Sequence, residues 1–154
     1  MVVFGQDSAE WSAASGVSRF SVRLVGLLAL IWSGFWAFDF LMINTRDYAY
    51  VSALHPETLQ FLDVLPYDAI ASWALAIACA GLASLLLLAR SHLATPFFAL
   101  SLVSLVYFVF RQWGQEMTPS AEMLGFPAGM AAGCLVSIAL PLFSLRCSFR
   151  DLLR

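Results

Sequence analysis

One carboxylate, Asp39, stands inside an otherwise apolar stretch and is the residue most able to carry chemistry. Ionisable side chains within membrane segments are costly and often mark ligand sites or ion pairs. Arg111 is its expected partner, because both residues are predicted to lie at similar depth near the outer surface. Tyr107, one helical turn before Arg111, could donate a hydrogen bond to the same carboxylate. These groups either bind a small solute or form an ion pair that only fixes helix register.

The predicted polar pocket adds a second arginine and two aromatic walls to this trio, and it opens outward. Its six residues are Asp39, Arg46, Tyr107, Arg111, Trp36 and Trp73.

Apolar helices must position these residues. The chain has 154 residues, of which 61% are hydrophobic and 12% charged, far from the composition of a soluble domain. A helix needs about 20 residues to cross a hydrocarbon core of about 30 Å. Four apolar segments are long enough, and in lipid their backbone amides must be satisfied within the helix. They cover residues 24–43, 69–89, 93–110 and 123–145.

The sequence therefore predicts an all-α integral membrane four-helix bundle over residues 19–146. A polar tail (1–18) precedes it and a basic stub (147–154) follows it. Arginine placement predicts that both termini are cytoplasmic, because positive charge is retained on that side. Six arginines would lie inside and only Arg46 and Arg111 outside. All eight basic residues are arginine, which fits a GC-rich bacterial genome. The expected location is the bacterial inner membrane.

The sequence of the first outer loop predicts a short amphipathic helix over about residues 56–65. Pro56 suits a first helical position, and Glu57 suits the positive end of the helix dipole. Leu59, Leu62 and Leu65 then share one face. Such a helix would lie in the membrane interface or cap the bundle.

The fourth span carries small residues at every fourth position, which is the clearest packing signal in the chain. They are Gly125, Gly129, Gly133 and Ser137. A groove without side chains lets another helix approach closely, which favours helix association in lipid. The groove could face the chain's own spans or another protein, and the sequence leaves both possibilities open.

Several functions are disfavoured by composition. A net charge of −2 without a basic tract argues against nucleic acid. His55 and His92 both fall in loops, which does not suit haem ligation, and no cluster of metal-ligating residues is visible. A nucleophile beside a histidine base is also missing from the pattern. We therefore expect no catalytic activity, no cofactor and no metal.

Short motifs in the first half of the chain resemble a family. They are Phe38-Asp39-x-x-Met42-x-x-Thr45-Arg46-x-x-x-Tyr50, Pro56-Glu57-x-Leu59 and Phe97-x-x-Ser101-Leu102. Together they resemble small four-span proteins of proteobacteria, some of whose members are labelled sugar transporters. The resemblance covers residues 24–111 and implies that Asp39, Thr45 and Arg46 belong to a family pattern.

Two functions remain from the sequence. The first is an accessory or interaction subunit, which would pack on another membrane protein or on itself through the small residues of the fourth span. The alternative is an oligomeric binder or transporter of a small solute, such as a sugar, at the polar pocket. Small multidrug transporters also have four spans, but they carry a mid-span glutamate and very short loops. Asp39 lies near one end of its span and the following loop is long, so proton-coupled exchange is disfavoured.

Overall fold

The fold is a set of long helices joined by short turns. The computed structural model describes residues 19–53, 63–113, 125–149 and 153, with the backbone alone for residues 19, 113 and 125–130. The helices are α1 (Arg19–Asn44), α2 (Tyr48–Val51), α3 (Tyr67–Leu88), α4 (Ala94–Trp113) and α5 (Gly125–Ser148). No strand occurs within those described residues.

Four of these helices are long and apolar enough to cross a membrane. The qualifying stretches are Phe20–Asn44, Tyr67–Leu88, Ala94–Gln112 and Ala131–Ser148. They confirm the predicted all-α class and the four spans, and they indicate a membrane protein. Most of the predicted loop helix at about 56–65 lies outside the described residues, as does the tail at 1–18; Asp63 and Val64 are helical.

The end of α1 folds the chain back on itself. Side chains bond the last carbonyls, with Asn44 Nδ2 donating to Phe40 O and Thr45 Oγ1 donating to Leu41 O, both at 2.8 Å. Arg46 then adopts a left-handed conformation (φ 54°), which reverses the chain. Asp47 caps α2 by accepting a hydrogen bond from the Tyr50 backbone N–H at 3.0 Å. This turn returns α2 toward the end of α1.

α3 is the central helix of the bundle. It packs along α1 on one side and along α4 on the other, and α4 in turn packs on α5. α1 and α5 lack comparable packing on each other among the described residues. A tight turn after α3, with Arg90 at φ 61°, makes α3 and α4 antiparallel neighbours, as predicted.

Two apolar clusters hold the helices together. One lies around the α3–α4 turn and includes Val22, Leu87, Phe98 and Cys147. The other contains Leu65, Ala69, Trp73 and Phe108. Many large apolar side chains, such as Phe20 and Phe110, point outward and are exposed. An apolar exterior of this kind suits contact with lipid rather than water.

Candidate functional site

Asp39, the starting point of the predicted pocket, is bound by α2. The Tyr50 hydroxyl donates a hydrogen bond to Asp39 Oδ1, and the Tyr50 ring meets Phe38 edge-on at 6.0 Å between centroids. Burial, followed by the bond to the Asp39 carboxylate, raises the pKa of Tyr50 to about 12. The phenol therefore stays protonated and able to donate at any physiological pH.

Arg111 and Tyr107 share a carboxylate, but that carboxylate is Asp68. Arg111 donates to Asp68 from Nε (2.8 Å, to Oδ2) and from a terminal nitrogen (3.2 Å, to Oδ1). The Tyr107 hydroxyl donates to Asp68 Oδ2 at 2.7 Å. The predicted pairing of both residues with Asp39 is therefore wrong. The reason is topological, since the first turn of α3 lies beside the last turn of its antiparallel neighbour α4.

Arg46 binds a third carboxylate, that of Asp63. Its guanidinium forms an ion pair with Asp63, and both side chains are about half exposed. The four polar members of the predicted pocket are thus divided among three separate groups, centred on Asp39, Asp63 and Asp68. Each of these carboxylates already accepts a hydrogen bond from a side chain. The structure does not assemble these residues into one pocket.

The two aromatic members, Trp36 and Trp73, line a cavity in the middle of the bundle. Its volume is about 80 Å³, it is partly open, and its lining is almost entirely apolar. All four spanning helices contribute to this central cavity. Its lining comprises Trp32, Ser33, Trp36, Trp73, Ala76, Ile77, Ala80, Phe98, Ser101, Leu105, Phe108, Gly133, Ser137 and Leu140.

One residue of the cavity lining has a buried hydrogen-bond donor without an acceptor. Trp36 Nε1 is buried and makes no hydrogen bond. Two serines of the lining are already bonded to backbone carbonyls at 2.8 Å, Ser33 to Ala29 and Ser101 to Ala76. A buried donor without a partner costs about 1–3 kcal/mol, so native proteins seldom tolerate one without a compensating role.

The small residues of the fourth span face the chain's own helices where they are described. Gly133 and Ser137 line the central cavity, and a Cβ added at Gly133 would lie 3.8 Å from Trp36 Cζ2. The surroundings of Gly125 and Gly129 lie outside the side chains that the structure describes. At Gly133 the groove packs against the protein's own first span and not against another protein.

Sequence reasoning missed Tyr50, Asp63 and Asp68 as partners, although each was present in a predicted loop or at a span boundary. Within the described part of the chain, no three His, Cys, Asp or Glu residues are grouped so that they could hold a metal ion.

Comparisons with protein-family models, with curated proteins and with solved structures find no match to this chain. The resemblance to proteobacterial four-span proteins stays a prediction.

Proposed function

We propose that this chain is a non-catalytic protein of the bacterial inner membrane that holds a small apolar molecule in its central cavity. Both termini would be cytoplasmic, as arginine placement predicts. One observation carries the proposal, which is the buried, unpartnered N–H of Trp36, a residue that lines an apolar space of about 80 Å³. Apolar walls with very few polar groups that fix orientation are typical of ligand sites.

The position of the cavity limits the chemistry of its ligand. Its lining residues come from the middle of each spanning helix, so a ligand must dissolve in hydrocarbon. It must also carry one oxygen acceptor, such as a carbonyl or ether, that can bind the Trp36 N–H. Satisfying this donor would recover the free energy lost by burying it.

Size limits the ligand further. An engineered cavity of about 150 Å³ holds a benzene molecule, and this one is smaller at about 80 Å³. The group inside is therefore compact, or it is the end of a longer molecule. Because α1 and α5 lack extensive packing on each other, the remainder would extend through the seam between them into lipid.

The two functions expected from the sequence stay predictions. A polar solute would find few free groups, since Asp39, Asp63 and Asp68 already accept side-chain hydrogen bonds. An accessory subunit would need a surface other than the one at Gly133, which packs against Trp36. Co-purification from native membranes tests the accessory role directly, because a partner would be recovered in constant proportion.

The indole N–H signals of the five tryptophans give a direct test of the cavity. In two-dimensional ¹⁵N–¹H spectra of the detergent-solubilised protein, hexyl methyl ketone should shift the Trp36 signal, whereas octane should not. Trp36→Phe keeps an aromatic ring but removes the donor, and it should reduce binding of the ketone to the level of octane. Trp32→Phe is the matched control, because Trp32 lines the same cavity without a buried, unpartnered nitrogen.

Two results would contradict the proposal. The first is a Trp36 signal that does not respond to the ketone while the signals of other tryptophans do. The second is a Trp36 N–H that exchanges rapidly with solvent, which would mean that water fills the cavity.

A further inference from the structure

The two ends of the bundle carry opposite kinds of charge. All acidic residues that the structure describes, namely Asp39, Asp47, Asp63 and Asp68, lie at the end where α1 and α4 finish and α3 begins. Both arginines of that end, Arg46 and Arg111, are ion-paired. No described acidic residue lies at the opposite end.

The opposite end, here called the basic end, contains Arg23, Arg90, His92 and Arg146. Side-chain contacts bring its elements together. His92, in the turn before α4, has its Nδ1 3.2 Å from Ser148 Oγ of α5, and the side-chain oxygens of Thr95 of α4 and Ser144 of α5 are 2.7 Å apart.

The start of α1 joins the same group of helices. Its Val22 is packed in the buried cluster with Leu87 and Cys147, and Gly26 lies against Leu88 of α3. The turn that holds Arg90, the end of α5 and the first turns of α1 therefore form one end of the bundle.

Arg90, in the turn between α3 and α4, has a donor that is not used. Its Nε is buried and makes no hydrogen bond. Neither Arg90, Arg23 nor Arg146 forms an ion pair with any residue that the structure describes. In contrast to the acidic end, the basic end has guanidinium groups that no carboxylate of the described residues neutralises.

We propose that the basic end binds the phosphate group of an anionic phospholipid, with Arg90 as the central ligand. A guanidinium offers a planar fork of donors that matches phosphate oxygens. Arg90 lies two residues beyond the end of a spanning helix, which places it at headgroup depth. Basic residues at such positions attract anionic lipid. This inference is independent of what the central cavity holds.

Native mass spectrometry of the detergent-solubilised chain tests this site with phosphatidylglycerol and phosphatidylcholine as probes. The wild type should retain phosphatidylglycerol in preference to phosphatidylcholine. Loss of one basic residue at an anionic surface weakens attraction about fivefold, so Arg90→Gln should reduce this preference by about that factor. Arg111→Gln removes an arginine from the acidic end and should leave the preference unchanged.

A second variant separates loss of the ligand from loss of folding. Arg90 is left-handed, a conformation that glycine adopts readily, so Arg90→Gly removes the side chain without straining the turn. It should fold as the wild type does by circular dichroism and lose the same lipid preference. Three results would overturn the proposal: unchanged preference in both Arg90 variants, equal loss in Arg111→Gln, or displacement of the lipid by inorganic phosphate alone.

Discussion

Replacing Trp73 with leucine removes the side chain that joins three helices. Its ring meets Phe40 of α1 edge-on at 4.9 Å between centroids. On the other side it stacks on Phe108 of α4 at 5.4 Å, with 19° between the planes. Trp73 itself is only 6% exposed, so both ring contacts are made in the interior of the bundle.

The bilayer changes the size of the expected effect. In a water-soluble protein, truncating a buried tryptophan to alanine costs about 3–5 kcal/mol, much of it from the transfer of apolar surface out of water. Between helices in lipid this transfer contributes little, because lipid tails are as apolar as leucine. The ring contacts remain, at about 0.5–1.5 kcal/mol for each pair. Trp73→Leu loses two such pairs, so the free energy of unfolding should fall by about 1–3 kcal/mol.

A double-mutant cycle isolates one ring contact. Reversible unfolding by sodium dodecyl sulfate in mixed micelles would be measured for Phe40→Leu, for Trp73→Leu and for both together. The coupling free energy should be about 0.5–1.5 kcal/mol. Trp32→Leu is the control, because the ring contacts of Trp32 are with Phe35 and Trp36 of its own helix. A coupling near zero, or a Trp32→Leu variant as unstable as Trp73→Leu, would refute the reasoning.

Two further predictions concern a close helix contact and a hydrogen bond. Gly26→Leu should lower the free energy of unfolding by about 1–3 kcal/mol, as overpacking does, because a Cβ there would already lie 3.0 Å from Leu88 side-chain atoms. Gly34→Leu on the same helix, with no atom within 4 Å of its Cβ, should cost little in the same assay. The second concerns Tyr50, whose pKa of about 12 lies above the ordinary 10.0. Its stabilising effect should be present below pH 10 and be lost as pH rises through about 12. Ultraviolet difference titration against Tyr50→Phe measures that pKa. Asp39→Asn should lower it only in part, because burial is the larger cause; an unchanged pKa would contradict the bond.

The four spans were predictable because a backbone that crosses lipid must satisfy its hydrogen bonds within its own segment. A run of apolar residues long enough to cross the membrane has to be helical, whatever its partners are. The ends were less predictable. α1 begins at Arg19, five residues before the apolar run at Leu24, because a helix continues into the headgroup region where polar side chains are tolerated. Hydropathy detects the apolar part of a helix and not its polar extension.

The polar contacts show that the depth of a residue in the membrane is not enough to predict its partner. Asp39 and Asp68 are both near the same end of the bundle, so depth makes either a candidate for Arg111. The short turn after α3 decides between them, because it makes α3 and α4 neighbours along their whole length. Asp68 and Arg111 lie at similar distances in sequence from that turn, which was visible in the sequence. The Asp39–Tyr50 bond was less accessible, since it depends on the left-handed turn at Arg46.

The central cavity was not predictable, because its shape depends on the rotation of all four helices about their axes. Its most informative feature is the pairing of a large side chain on α1 with small residues on α5. Trp36 lies against Gly133, and phenylalanine at position 36 could occupy much of the same space without burying a hydrogen-bond donor. Packing alone therefore accounts for an aromatic ring there but not for an indole. An acceptor brought by a ligand accounts for both, which is why Trp36→Phe is the substitution that separates a packing role from a binding role.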